Sequence, residues 1–140
     1  MAKAKKITLF RVSVPNKVGQ LAAVAELVAG AKVNIKALAA TEVGGNAEIR
    51  LAVDKSEKAK KVLASIGTDV KEEQALSVDL QDKPGSLLKM SRKIASAGVN
   101  ISWSWATAFG GKTSTCILVT SDNEKAAAAI AAKKKKGAAT

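Results

Sequence analysis

The sequence is two copies of one unit. Sliding it by 66 positions lays Asp82-Lys83-Pro84-Gly85-Ser86-Leu87 on Asn16-Lys17-Val18-Gly19-Gln20-Leu21, and Val99-Asn100-Ile101 on Val33-Asn34-Ile35. From Asn16 to Val53 the copies align without a gap and about a third of positions are identical, among them Thr41/Thr107 and Gly44-Gly45/Gly110-Gly111. A repeat of this period predicts a tandem array of one supersecondary unit. With 140 residues in the chain, each unit has about 65. Domains of that size bury only ~60% of their extended-chain surface, so the two units are expected to pack on each other or on a second chain.

The order of elements follows from periodicity. Ile7 to Val14 alternates, with Phe10, Val12 and Val14 on one side and Arg11 and Ser13 on the other, the period of a half-buried strand. After the turn at Asn16 to Gly19, the residues Leu21, Val24, Val28 and Ala31 recur at helical spacing. Val33 to Val43 reads as a strand running into Gly44-Gly45-Asn46, a hairpin signal because glycine takes positive φ freely. Ala47, Ile49, Leu51 and Val53 of the next strand face in, and Glu48 and Arg50 face water. Ser56 is placed to cap a helix that presents Ala59, Val62, Leu63 and Ile66 and ends at Gly67, and Thr68 to Glu73 supplies a fourth strand. The order β-α-β-β-α-β predicts an α+β, ferredoxin-like unit, an antiparallel sheet with both helices on one face.

The second unit repeats this order from Leu76, Val78 and Leu80, with no linker, so the last strand of the first unit is placed to run on into it. Its helix from Asp122 to Ile130 is followed by Lys133 to Lys136 and a small-residue end, where no β pattern supplies a last strand. That sheet is therefore one strand short or has its open edge covered by another element or chain. The expected division is 7–73, 74–131 and a basic tail at 132–140.

The net charge of +11 suggests an anionic partner, but Lys3, Lys5, Lys6 and Lys133 to Lys136 hold seven of the 23 cationic side chains. The excess is thus expected mainly in the tails, and a nucleic-acid or acidic-protein partner held by those tails is the alternative function. Against base stacking, tyrosine is absent and aromatics are only 3%. No apolar stretch approaches the ~20 residues that span a bilayer, and the N-terminus has no signal-peptide pattern, so a cytoplasmic protein is predicted, with no membrane contact.

Chemistry narrows the reading further. Histidine is absent, and Cys116 stands alone in Thr115-Cys116-Ile117-Leu118-Val119, the setting of a packed strand thiol. Neither a Cys-His or Ser-His pair nor a Cys/His cluster for zinc can be assembled, and no glycine-rich phosphate loop is present. The residues predict a binding protein, neither an enzyme nor a cofactor carrier. A strand-to-helix turn does, however, aim free backbone N–H groups and a positive helix end at one spot, which suits a carboxylate.

At these turns the sequence resembles the ACT domain, a small-molecule-sensing module of βαββαβ type. Its first turn typically reads Asp/Asn-Lys/Arg-Pro-Gly-x-Leu, and a Gly-x-Asn-Ile stretch follows the helix. Asp82 to Leu87 with Gly98-Val99-Asn100-Ile101 matches closely; Asn16 to Leu21 with Val33-Asn34-Ile35 lacks the proline and carries Lys32 where glycine is usual. The resemblance covers residues 7 to about 131. It implies modules that pair, here as a homodimer, and bind an amino acid or similar zwitterion at their junction, often to regulate an enzyme. By that analogy the N–H groups of Gly85 and Ser86 hold the ligand carboxylate beside Pro84 and Leu87, and Asp82 takes its ammonium. Asn100 with Ile101, or Asn34 with Ile35 from the neighbouring unit, closes the pocket. Asn16, Gly19, Gln20 and Leu21 are the equivalent second site.

Structural roles compete with each assignment. Asp82 and Asn16 are good helix caps, and Pro84 suits a first turn. Gly19 and Gly85 can serve close packing or positive φ, and Asn34 and Asn100 can bond the local backbone. Trp103 and Trp105 share strand parity with Val99 and Ile101, which predicts core or interface filling ahead of a ligand lid.

Overall fold

The structure, a computed structural model, describes residues 3–66, 69–108 and 110–132. In chain order the elements are β1 (Lys3–Pro15), α1 (Gln20–Gly30), β2 (Ile35–Val43), β3 (Asn46–Val53), α2 (Ser56–Ala64), β4 (Asp69–Gln81), α3 (Ser86–Ser96), β5 (Ile101–Ala108), β6 (Thr113–Thr120) and α4 (Asn123–Ala131). They form two compact units. One is Thr8–Glu73; the other joins residues 3–7 to the described residues from 74 onward. Gly67 and Thr68, expected to end α2 and open the next strand, lie outside the described residues, as does the run Lys133 to Lys136.

In the N-terminal unit the strand order is β2-β3-β1-β4, with β1 and β2 each antiparallel to β3. Alternation works as expected: Phe10, Val12 and Val14 of β1 and Ile49 and Leu51 of β3 enclose one core with Val24 and Val28 of α1 and Ala59 and Leu63 of α2. Both helices therefore lie on one sheet face. Each fully buried Val or Leu contributes about 1.5–3 kcal/mol, so these few side chains hold the unit. Leu21 is the exception on the α1 stripe, 46% exposed at the helix start. The hairpin takes the predicted glycine turn, with Gly44 at φ 55° and Gly45 at φ 83°. Lys55, and not Ser56, is the N-cap residue of α2, and no side chain bonds its first turn.

Arg50 departs from expectation. It lies on the helix-free face but is buried at 7% exposure, because Glu73 accepts from its Nε at 2.8 Å and Glu48 pairs with its Nη1 at 2.7 Å. Arg11 approaches Glu73 at 3.5 Å from the neighbouring strand. A guanidinium in a dry setting needs such partners, so the alternation rule that turned Arg50 to water fails where carboxylates close over it.

The C-terminal unit has the order β1-β4-β6-β5. Strand β4 runs unbroken from Asp69 to Gln81, so its second half opens this unit. The place of a fourth strand, left empty by the sequence pattern, is taken by residues 3–7 of β1, where Ala4 packs on the C-terminal core and Lys6 pairs with Glu124. Lys3, Lys5 and Lys6 are thus strand residues and not a tail; the pattern hid this because their positions are largely solvent-facing. That core is Leu76, Val78, Leu80, Met90, Ile94, Cys116, Leu118 and Ile130 with Val99 and Ala126. Asp122 caps α4, accepting from the Lys125 N–H at 3.1 Å.

One irregularity breaks the gapless alignment, and a second, common to both units, reverses strand parity. Val12 pairs with Ile49, but its counterpart Val78 pairs with Cys116 where the alignment expects Thr115, so the second hairpin turn is one residue longer. Cys116 and Leu118 therefore face the helices. A bulge between Ile101 and Trp103, matched by one between Ile35 and Ala37, reverses parity along β5. Ile101 packs on the core, whereas Trp103 and Trp105 pair with Val119 and Ile117 on the helix-free face. There they are half-buried and stack edge to face, 4.4 Å between ring centroids, instead of filling the core. No helix among the described residues is long and apolar enough to cross a membrane.

Candidate functional site

Both strand-to-helix turns are built alike. Gly19 and Gly85 sit at the N-cap positions of α1 and α3 with φ 89° and 91°, a left-handed conformation that favours glycine. Nothing lies within 4 Å of where their Cβ atoms would be, so the requirement is conformational and not one of packing. Neither helix has a side-chain cap, so Asn16 and Asp82 do not serve as caps. The backbone instead folds back on itself: the N–H groups of Gln20 and Ser86 donate to the carbonyls of Lys17 and Lys83, each at 3.3 Å. Ser86 N–H is therefore already engaged. Among the described residues the N–H groups of Gly19, Leu21 and Ala22, and of Gly85, Leu87 and Leu88, have no hydrogen-bond partner.

In the N-terminal unit Asn16, Gly19, Gln20 and Leu21 line one groove of about 490 Å³, between the first turn of α1 and the end of the β2–β3 hairpin. Its far wall brings residues that the sequence reading missed, Thr41 and Glu42. Glu42 pairs in register with Ala47, and Ala40 with the core residue Ile49, which puts Glu42 on the helix face of the sheet. Asn16 Nδ2 donates to Glu42 Oε2. Lys17 also lines the groove, so it holds one cation and one anion above a floor of small apolar side chains.

The C-terminal unit differs. Its groove, also about 490 Å³, is lined by Pro84, Gly85 and Ser86 but lies on the other side of the turn, with Lys83, Lys89 and Lys93 around it. Asp82 and Leu87 do not line it. The Asp82 carboxylate is exposed and has no partner among the described residues, while its N–H donates to the Lys112 carbonyl at 2.9 Å. Lys93 Nζ donates to the carbonyls of Ile130 and Ala132, closing the end of α4. The Glu42 equivalent is Ala108, so this turn has no acid on the hairpin side.

Asn34, Ile35, Asn100 and Ile101 are not brought to the turns of their own units. Ile101 pairs with Thr120 while Ala108 pairs with Ser114, so Asn100 lies about 20 Å along the sheet from the turn, at ~3.3 Å per residue. There the Asn100 N–H donates to Ser121 Oγ and that of Asn34 to Asp54 Oδ1. Backbone groups make these bonds; the asparagine amides do not. Cys116 is buried, and desolvation pushes its thiol pKa up, away from reactivity. Among the described residues no group of three or more His, Cys, Asp or Glu side chains could hold a metal ion.

These features can be set against known proteins. The fold is shared with a protein of Bacteroides thetaiotaomicron, at 23% identity over 91% of this chain and 88% of that one, with a TM-score of 0.83. The ligand-free regulatory subunit of aspartate kinase from Thermus thermophilus is similar at 17% identity, 92% and 93% coverage and a TM-score of 0.67. E. coli aspartokinase III, in complex with lysine and aspartate, matches at 17% identity over 92% of this chain but 31% of its own, with a TM-score of 0.60. No curated protein matches the chain. Residues 5–138 match the ACT domain pair, nearly the whole of the chain, and the chain belongs to the ACT domain pair family.

Proposed function

We propose that the protein is a regulatory subunit that binds a free amino acid at its strand-to-helix turns and passes that occupancy to a separate enzyme, without catalytic machinery of its own. The observation that carries this is the convergence of Asn16, Gly19, Gln20 and Leu21 with Lys17, Thr41 and Glu42 in one groove. Unpartnered amide hydrogens and an ammonium on one side and a carboxylate on the other are complementary to a zwitterion. The family match and the likeness in fold to an aspartate kinase regulatory subunit support the regulatory part.

The turn from Asp82 to Leu87 is a second candidate site, with the free Asp82 carboxylate as ammonium acceptor. A homodimer that brings Asn34 or Asn100 of another chain to a turn is part of the proposal. Regulation then follows from differential affinity, since a ligand favours whichever arrangement it binds better. Calorimetric titration of the intact protein with each of the twenty amino acids tests it. Saturable heat with one chemical class is expected; twenty flat titrations overturn the reading.

A further inference from the structure

Resting on that reading, we infer that the groove of the N-terminal unit is selective for neutral aliphatic amino acids, and that Glu42 is the residue that takes the ligand ammonium. The charges in the groove decide this. Lys17 and Glu42 are its only charged side chains, one of each sign. The α-carboxylate uses Lys17 and the free N–H groups of Leu21 and Ala22. The α-ammonium uses Glu42, whose carboxylate accepts from Asn16 Nδ2 and, with about four lone-pair directions, has capacity left.

Once both ends of a zwitterion are met, nothing charged remains for its side chain. What remains is methyl surface from Leu21, Ala22, Ala40, Ala47 and Ile49. A side-chain ammonium or carboxylate placed there loses water without gaining a partner, whereas a branched hydrocarbon gains contact. The C-terminal groove is unlike it in charge: Lys83, Lys89 and Lys93 line it, the Asp79 carboxylate lies on the helix-free face and accepts from Thr115 Oγ1, and Ala108 stands where Glu42 does. The neutral aliphatic class is therefore assigned to the Glu42 groove, while the Asp82 turn, beside Lys83, Lys89 and Lys93, is left to other amino acids.

The test is calorimetry on the intact protein with L-valine and L-leucine against L-lysine and L-aspartate. Valine or leucine binding at one per chain, with lysine and aspartate at least tenfold weaker, is expected. Glu42→Gln weakens that binding about 10- to 100-fold, the worth of a hydrogen bond to a charged group. Glu57→Gln, the same change of charge in the first turn of α2, leaves it unchanged. Circular dichroism confirms that Glu42→Gln is folded. Lysine or aspartate binding with valine and leucine flat overturns the selectivity and leaves the amino-acid sensor standing; no binding by any of the twenty overturns the sensor itself. Valine binding that survives Glu42→Gln overturns the assignment of Glu42.

Discussion

Lys32 and Gly98 occupy the same place in the two units, the residue after a helix end, and exchanging them tests how the repeat is built. Lys32 has φ 60° and Gly98 φ 74°, and Lys32 is the only non-glycine residue with positive φ among the described residues. Both helix ends carry the same bonds: Val33 N–H to the Val28 carbonyl at 3.1 Å, and Val99 N–H to the Ile94 carbonyl at 3.3 Å. This is the six-to-one closure that calls for a left-handed residue. A side chain in that conformation costs about 1–2 kcal/mol. Glycine costs about 0.5–1 kcal/mol in unfolded-chain freedom, and a lysine near a helix C-terminus contributes about 0.3–1 kcal/mol. Lys32 is exposed, so salt holds the lysine term to its low end; about 1.5 kcal/mol for the conformation then stands against about 0.75 for glycine's freedom and about 0.3 for the charge, and in physiological salt Lys32→Gly stabilises the N-terminal unit by about 0.5 kcal/mol while Gly98→Lys destabilises the other by a similar amount. The Lys32 side chain is exposed and makes no hydrogen bond or ion pair among the described residues, so nothing else is lost. Urea unfolding followed by circular dichroism reads the first. Tryptophan fluorescence reads the second, because Trp103 and Trp105, the only tryptophans, lie in the C-terminal unit. Destabilisation by Lys32→Gly together with tolerance of Gly98→Lys would refute the reasoning.

Other outcomes follow from particular contacts. Glu73→Gln removes a carboxylate paired with buried Arg50 and lowers stability by about 2 kcal/mol, less than a full orphaned charge because Glu48 remains; urea midpoints of Glu73→Gln and Glu72→Gln, the latter more exposed, check it. Removing residues 1–7 strips the edge strand from the C-terminal unit, with the packing of Ala4 on its core and the Lys6–Glu124 pair, so the tryptophan-detected transition moves to lower urea. Burial raises the Cys116 pKa above its ordinary 9.0, so the thiol resists alkylation until unfolding. Its contribution to stability is full below pH 9.0 and falls as pH rises through the folded value, which matched alkylation and unfolding series at pH 7 and pH 10 detect.

How far the sequence was legible depends on where its pattern had contrast. Phe10, Val12 and Val14 alternate with polar residues, and their side of the strand followed at once. Cys116-Ile117-Leu118-Val119 has no alternation, so nothing in it revealed the longer hairpin turn. The bulges near Lys36 and Ser102 leave no mark on composition, and the second moved Trp103 and Trp105 to the other face. The glycine turns were visible because left-handed backbone demands a particular residue. Glu42 was not, since it is 26 residues from Asn16 and only the closing of the hairpin brings the two together. The N-terminal lysines looked like a tail because an edge strand can be almost wholly polar and still find its partner through the backbone.

The central claim is that the turn at Asn16 to Ala22 and the hairpin end at Thr41 and Glu42 form one amino-acid site. Amide chemical-shift mapping of ¹⁵N-labelled protein during titration with L-valine measures this most directly. The account predicts that the largest shifts fall on Gly19, Leu21, Ala22 and Glu42 and disappear in Glu42→Gln. Saturable shifts centred elsewhere, around Trp103 for example, with the Asn16 to Ala22 amides unmoved, would contradict it.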